Sequence, residues 1–198
     1  YWQGAGQGAQ RLALVTFGPG VGWAFIYRGE IYRGLDGLHP EGGHIILDPS
    51  GPLCYCGSHG CWEVLAAGPG IAQRAQAAIR DRLAPTRLLE LAGGDLEKVD
   101  ARLVAEAARQ GDPLGQLLTE QTAEYIGLGL VNLIRLLLPE RILLTGGVMR
   151  SYDLYQPHIE RILATHNAFA PVEKIEIRPA ELGQKAGMYG AAYAILHR

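Results

Sequence analysis

The sequence predicts an α/β fold built on a mixed sheet, and three observations carry that reading. Two β-rich apolar runs, 11–16 and 21–27, flank the tight turn Phe17-Gly18-Pro19-Gly20, as in an antiparallel meander. The run Arg141-Ile142-Leu143-Leu144-Thr145 is apolar throughout its middle, the pattern of a strand covered on both faces. From residue 113 onward, segments of helical period alternate with short strands, which implies crossover connections.

Each element follows from local chemistry. After the first two strands, Arg28-Gly29-Glu30 turns the chain into a short third strand at 31–32. Apolar residues at Val64, Leu65, Ala67, Ile71, Ala72, Ala75, Ala78 and Ile79 predict a helix that starts at Glu63 or Pro69 and runs to Leu83. Pro85, Gly93 and Gly94 mark 84–97 as a loop. A helix over 98–110 stops at Gly111-Asp112-Pro113, where glycine ends one helix and proline opens the next. That next helix, 114–138, is the longest and ends at Pro139; its apolar length suits either the core or a subunit interface. The strand 141–145 runs into Gly146-Gly147, followed by a helix at 152–166, a strand at 174–178 and a glycine-punctuated helix at 185–197.

With 198 residues, 48% of them hydrophobic, the chain holds one good-sized domain or two small ones, and disorder is excluded. A net charge of −2 leaves no basic excess, so no nucleic-acid binding is expected through this segment. No apolar stretch reaches the ~18 residues of a membrane span, and Asn132 and Arg135 break the longest, so a soluble cytoplasmic protein is expected. The first residues carry neither an initiator Met nor a signal peptide and read as a cut or processed end. The glycines, 27 in all, follow no collagen period, and no internal repeat stands out.

All three cysteines fall between Cys54 and Cys61, too local for a disulfide framework. With His44 they form H-x9-C-x-C-x4-C, one imidazole and three thiolates, the closed donor set of a structural zinc. Four protein ligands leave no open position, so such an ion neither activates water nor binds substrate; it pins a loop with few apolar anchors. Gly57 and Gly60 let the chain wrap the ion, and His59 is the rival ligand to His44.

Glu41-Gly42-Gly43-His44 followed by Cys54-Tyr55-Cys56-Gly57-Ser58-His59-Gly60-Cys61-Trp62-Glu63 resembles the E-x-G-H … C-x-C-G-x-x-G-C-x-E signature of the ROK family of repressors, open reading frames and kinases. The resemblance extends through Gly4-Ala5-Gly6, the turn from Val15 to Gly22, Gly111-Asp112-Pro113, Asn132, Leu138-Pro139-Glu140, Thr145-Gly146-Gly147-Val148, Leu182-Gly183 and Ala186-Gly187 to Gly190-Ala191-Ala192.

The resemblance implies an actin-like (ribonuclease H-like), two-lobe ATPase fold with sugar and ATP meeting in the cleft. Residues 1–184 correspond to the large C-terminal lobe, with its zinc loop at 41–63. The helix at 185–198 is expected to pack on an N-terminal lobe that these residues do not contain. The family's D-x-G-G-T phosphate loop and its Asn-Asp dipeptide, whose aspartate is the general base, do not occur here, so no catalytic residue is assigned. Glu41, His44 and Glu63 match positions that hydrogen-bond sugar hydroxyls: carboxylates accept, and a metal-bound imidazole donates through its other nitrogen. Read without the motif, Glu41 is a solvated carboxylate and Glu63 a charge at a helix N-terminus.

The turn from Thr16 to Gly22 matches the second phosphate loop, T-x-G-T-G-V-G-G-G, with Thr16, Gly18 and Gly20 beside the nucleotide. Pro19 replaces a threonine, removing a hydroxyl and an N–H, and Trp23-Ala24 replace the last glycines. Gly146 and Gly147 match the turn near the adenosine, and Lys185-Ala186-Gly187 stands for the usual Asp-Ala-Gly. The implied activity is ATP-dependent phosphorylation of a hexose, glucokinase-like, with Mg²⁺ bridging the phosphates and zinc as a structural ion. A sugar-sensing regulator and a degenerate sugar-binding relative are the alternatives. A homodimer is expected, as is common in relatives.

Overall fold

In the computed structural model, residues 1, 4–166 and 168–196 are described; the expectations that touch Trp2, Gln3, His197 and Arg198 lie outside them. Twelve elements follow one another among the described residues: β1 (Arg11–Phe17), β2 (Val21–Tyr27), β3 (Glu30–Ile31), α1 (Trp62–Ala66), α2 (Gly68–Arg80), α3 (Leu88–Leu91), α4 (Ala101–Arg109), α5 (Pro113–Leu137), β4 (Arg141–Thr145), α6 (Tyr152–Thr165), β5 (Glu176–Pro179) and α7 (Ala186–Leu196).

The five strands form one sheet in the order β3-β2-β1-β4-β5. β1 is antiparallel to β2 and parallel to β4, and β4 is parallel to β5, so the sheet is mixed as expected. In the parallel pair Thr16 stands beside Thr145, which brings the carboxyl ends of β1 and β4, and the glycine turns after them, to the same edge. β4 has Ile142, Leu143 and Leu144 all buried, which requires cover on both faces.

Alternation along β1 separates two cores. Ala13, Val15 and Phe17 face the helices and join Trp62, Leu118, Ile126, Leu130 and Ile142 in the main cluster. Leu12, with Leu143, Ala5 and Ala9, builds a smaller cluster on the other face, against which Leu14 and Ile26 pack. Beside that second face lies a cavity of about 160 Å³, lined in part by Leu12, Ala24, Leu143, Tyr189 and Tyr193. On α7, Met188, Ile195 and Leu196 point away from both cores and are exposed.

The helix expected at 114–138 is a core helix. Leu114, Leu118, Ile126, Leu130 and Ile134 of α5 are fully buried, and it packs on α1, α4 and α6. Its N-cap, Asp112, accepts from Gly115 N at 2.8 Å, from Thr86 Oγ1 at 3.0 Å and from Arg87 N at 2.7 Å, so one carboxylate caps α5 and ties down the preceding loop. The helix ends with Leu138 in the left-handed region, φ 43°, just before Pro139.

Two expectations change. The helix drawn through 63–83 is two helices, α1 and α2, because the Pro69 ring cannot continue a helix whose i−4 carbonyl is that of Leu65; Ala67 at ψ 159° makes the break. The loop drawn at 84–97 contains α3 and leads into a 3-10 turn at Leu96–Lys98, organised by burial of Leu88. Smaller shifts at the other ends stay within two or three residues: α4 starts at Ala101, where Asp100 accepts from Leu103 N, and β5 starts after a 3-10 turn at Val172–Lys174.

Trp62 is the pivot between α1 and the rest. Its indole is fully buried, meets the Phe17 ring edge-on at 5.4 Å, and lies flat against the α5 backbone at Gly129, where a Cβ would overlap the ring. Gly129→Ala is expected to lower unfolding free energy by about 1–3 kcal/mol, because overpacking outweighs the ~1 kcal/mol of helix propensity gained. Urea denaturation checks it; an unchanged or raised midpoint would show that the indole has room to move.

Candidate functional site

The segment between β3 and α1 has no strand or α-helix of its own among the described residues, and a web of backbone bonds shapes it. Leu47 N donates to Gly60 O at 2.9 Å, Gly60 N to Pro52 O at 2.8 Å, Cys54 N to Ser58 O at 2.8 Å and Trp62 N to Ile45 O at 2.8 Å. Gly60 has φ +60°, and a Cβ there would collide with the Asp48 carbonyl, so only glycine lets the two limbs of this small hairpin approach. Ile46, Leu53 and Tyr55 point outward, which leaves Trp62 and the half-buried Leu47 as the apolar anchors of the hairpin.

Into this hairpin converge His44, Cys54, Cys56 and Cys61, whose ligand atoms all lie within 4.8 Å of one another. Cys54 Sγ is 3.6 Å from His44 Nδ1, and Cys56 Sγ is 3.6 Å from Cys61 Sγ. Edges of a tetrahedron with metal–sulfur bonds near 2.3 Å and metal–nitrogen bonds near 2.0 Å are about 3.5–3.8 Å, so these separations fit a four-coordinate ion. The three cysteines are free thiols. The Ser58 backbone hydrogen bond holds Cys56 down to about 7, whereas burial and the adjacent Cys56 and Cys54 sulfurs push Cys61 up to about 12. The rival His59 is outside the cluster: its Nδ1 lies 3.0 Å from the Gly51 carbonyl oxygen.

His44 turns Nδ1 toward the sulfurs and Nε2 outward, where it meets Tyr55 Oη at 3.1 Å. Partial desolvation first, then the Glu63 carboxylate, the Cys54 sulfur and, least, the Glu41 carboxylate raise the Tyr55 phenol above its usual pKa. Glu41 precedes the 3-10 turn Gly42–His44, and Glu63 lies in the first turn of α1. Glu63 is more than a helix-end charge: its Oε2 accepts from Val21 N at 2.9 Å, reaching back to the turn after β1.

That turn and the one after β4 abut. A Cβ on Gly146, which has φ +101°, would overlap the Phe17 backbone, so the Phe17-Gly18-Pro19-Gly20 and Gly146-Gly147 turns lie side by side at the carboxyl ends of parallel strands, a preferred place for ligands in such sheets. A cleft of about 690 Å³ opens on the β4 side of this edge, lined by Thr145, Gly146, Met149, Arg150, Glu181 and Lys185 among others and by no residue of the turn after β1. Few donors of the first turn are free. Gly18 N donates to Gly20 O at 2.9 Å, Pro19 has no N–H, and Val21 N is held by Glu63, which leaves Gly20 N without a partner among the described residues. Trp23 does not enter the cleft; it faces the main core with its indole against Gly42.

Sequence reasoning missed two residues, Tyr55 and Trp62. Their signal was position alone: Tyr55 stands between two cysteines, and Trp62 between a cysteine and a carboxylate.

Comparison with known proteins places these observations in a family. The model described as ROK family matches residues 1–198. The glucokinase of Streptomyces coelicolor is 35% identical over 199 residues, covering 97% of this chain and 61% of the relative. The solved structure of a ROK family glucokinase from Streptomyces griseus in complex with glucose and AMPPNP superposes with a TM-score of 0.84 at 33% identity, covering 96% of this chain and 62% of that one. The DNA-binding transcriptional dual regulator NagC of Escherichia coli is 27% identical over 198 residues, covering 100% of this chain and 47% of the regulator. The chain therefore spans about three fifths of the glucokinases and about half of the regulator it matches.

The cluster is expected to take up one equivalent of Co²⁺ with tetrahedral ligand-field bands and thiolate charge transfer. Cys56→Ser should weaken that binding at least tenfold, while His59→Ala leaves the spectrum unchanged; loss of the spectrum in the His59 variant would reassign the nitrogen ligand.

Proposed function

Because the chain belongs to the ROK family, we propose that it is the sugar-contacting large lobe of a glucokinase-like kinase, which transfers the γ-phosphoryl of ATP to a hexose hydroxyl. The observation that carries the reading is His44 Nε2 turned outward at Tyr55 Oη, with the Glu63 carboxylate held at the turn that ends β1. A donor and two carboxylates are the complement of vicinal hydroxyls, each of which gives one proton and accepts others.

The ion proposed for His44, Cys54, Cys56 and Cys61 is zinc, the common partner of a Cys₃His set. When bound, it closes the hairpin and keeps the ring nitrogen on its side unprotonated. His44 then carries its proton on Nε2 and donates to a hydroxyl, while Glu41 and Glu63 accept. Glu63 also links this site to the Val21 N–H, so its carboxylate stands between the sugar and the nucleotide turn. Thr16, Gly18, Gly20, Gly146 and Gly147 are proposed to border the nucleotide, with Mg²⁺ on its phosphates. The proton-accepting aspartate is proposed to come from the other lobe, against which the exposed side chains Met188, Ile195 and Leu196 of α7 are proposed to pack, with 1–184 forming the body of the large lobe.

A second reading is favoured by one observation. The turn after β1 offers a single free N–H, with a carboxylate beside it, which is weak provision for a polyphosphate. A relative that binds a sugar without phosphorylating it, as a regulator does, fits that geometry.

Calorimetry of the chain with a panel of hexoses, with and without a non-hydrolysable ATP analogue, separates the two. Under the kinase reading hexose binds, Glu63→Ala weakens it about tenfold or more by removing charge-assisted hydrogen bonds, and the nucleotide binds as well. Hexose binding without nucleotide binding supports the second reading. The 198 residues alone are expected to release no sugar phosphate, since neither the general base nor D-x-G-G-T is among them; turnover by this chain would sink that assignment of the chemistry.

A further inference from the structure

The hydroxyl of Tyr55 stands directly on one of the three proposed sugar ligands, His44. Its Oη is 3.1 Å from His44 Nε2, and the two rings meet edge-on with centroids 5.1 Å apart at 86°. The Glu63 and Glu41 carboxylates act on the same oxygen. A phenol and a sugar hydroxyl have the same hydrogen-bonding equipment, one O–H donor and an oxygen acceptor. Tyr55 is 83% exposed, so burial does not hold the side chain there; the contact with His44 does. The backbone beneath it is firm, because Cys54 N donates to Ser58 O at 2.8 Å and Gly57 N to Cys54 O at 2.9 Å, so the ring swings on its own torsions while the hairpin stays closed.

We propose that Tyr55 gates the carbohydrate site: in the ligand-free chain its phenol occupies the place of a sugar hydroxyl on His44 Nε2, and it leaves when a hexose binds. The inference rests on the sugar-site reading above and adds a residue to it. Exchange swaps one neutral hydrogen bond for another, so the gate costs affinity by the worth of one exposed hydrogen bond, about two- to tenfold. It also favours ligands with a hydroxyl able to replace the phenol, since a deoxy sugar leaves Nε2 unpaired while displacing Tyr55.

The test compares wild type and Tyr55→Phe in the zinc-loaded chain, with two readouts: the imidazole ¹⁵N resonances of His44 without sugar, and affinities for glucose, mannose and N-acetylglucosamine by calorimetry. The expected result is a moved Nε2 resonance in the sugar-free variant and hexose binding about two- to tenfold tighter than wild type, with zinc content unchanged. An unmoved resonance overturns the contact and the gate. A moved resonance with equal affinities overturns the gate alone, and weaker binding by the variant makes Tyr55 a sugar contact and overturns the gate as well. If the resonance moves and neither protein binds any of the three hexoses, the sugar reading falls and takes the gate with it. Tyr55→Ala serves as the second variant, expected to tighten binding in the same direction; no tightening in either variant overturns the proposal.

Discussion

Burial of the Trp62 indole is the constraint on which the site depends. The ring is closed in by Phe17 at the end of β1 and by the α5 backbone at Gly129. An indole of this size removes enough surface from water to contribute about 4–6 kcal/mol before entropy is counted. Part of that is offset by its Nε1, buried without a hydrogen-bond partner among the described residues. The exposed ion pairs elsewhere, such as Arg80 with Glu97, contribute about 0–1 kcal/mol each, so they do not compete in setting the geometry. Because Cys61 precedes Trp62 and Glu63 follows it, fixing the ring fixes a member of the cysteine–histidine cluster on one side and the carboxylate that holds Val21 N–H on the other.

The hairpin between Glu41 and Cys61 depends on that anchor because it has little else. Its large apolar side chains Ile46 and Leu53 face water, and Leu47, half-buried against the main core, is the one that packs inward. A four-ligand ion would join His44, Cys54 and Cys56 to Cys61, and through Cys61 to the core, which would make the hairpin an extension of α1. His44 then presents its second nitrogen in a direction set by packing far beneath it.

Glu63 connects two regions that the chain separates by about forty residues. One oxygen accepts from Val21 N–H in the turn after β1, and the carboxylate also acts on the Tyr55 hydroxyl. The same group thus belongs to the outward-facing side of the hairpin and to the edge where β1 and β4 end. Pro19 and the internal bond from Gly18 to Gly20 make that edge a stiff hairpin turn with few open donors, which distinguishes it from a glycine loop whose amides all face outward.

The sheet order apart, most of the fold was legible in the sequence, because hydrophobic period, helix caps and proline are local signals: β2 and β4 have the bounds the pattern predicts, and Asp112 with Pro113 marks the start of α5. The convergence of the four cysteine and histidine side chains was legible too, since these residues rarely cluster in sequence without cause. Only the tertiary structure could decide between His44 and His59, because both are near the cysteines in sequence and the choice depends on how the hairpin folds over Gly60. The same holds for Trp23, which stands in place of one of the family's turn glycines and lies under Gly42 on the core side. Side-chain direction at the end of a strand, and the partner a carboxylate finds forty residues away, are set by packing between elements, and no period along the chain encodes them.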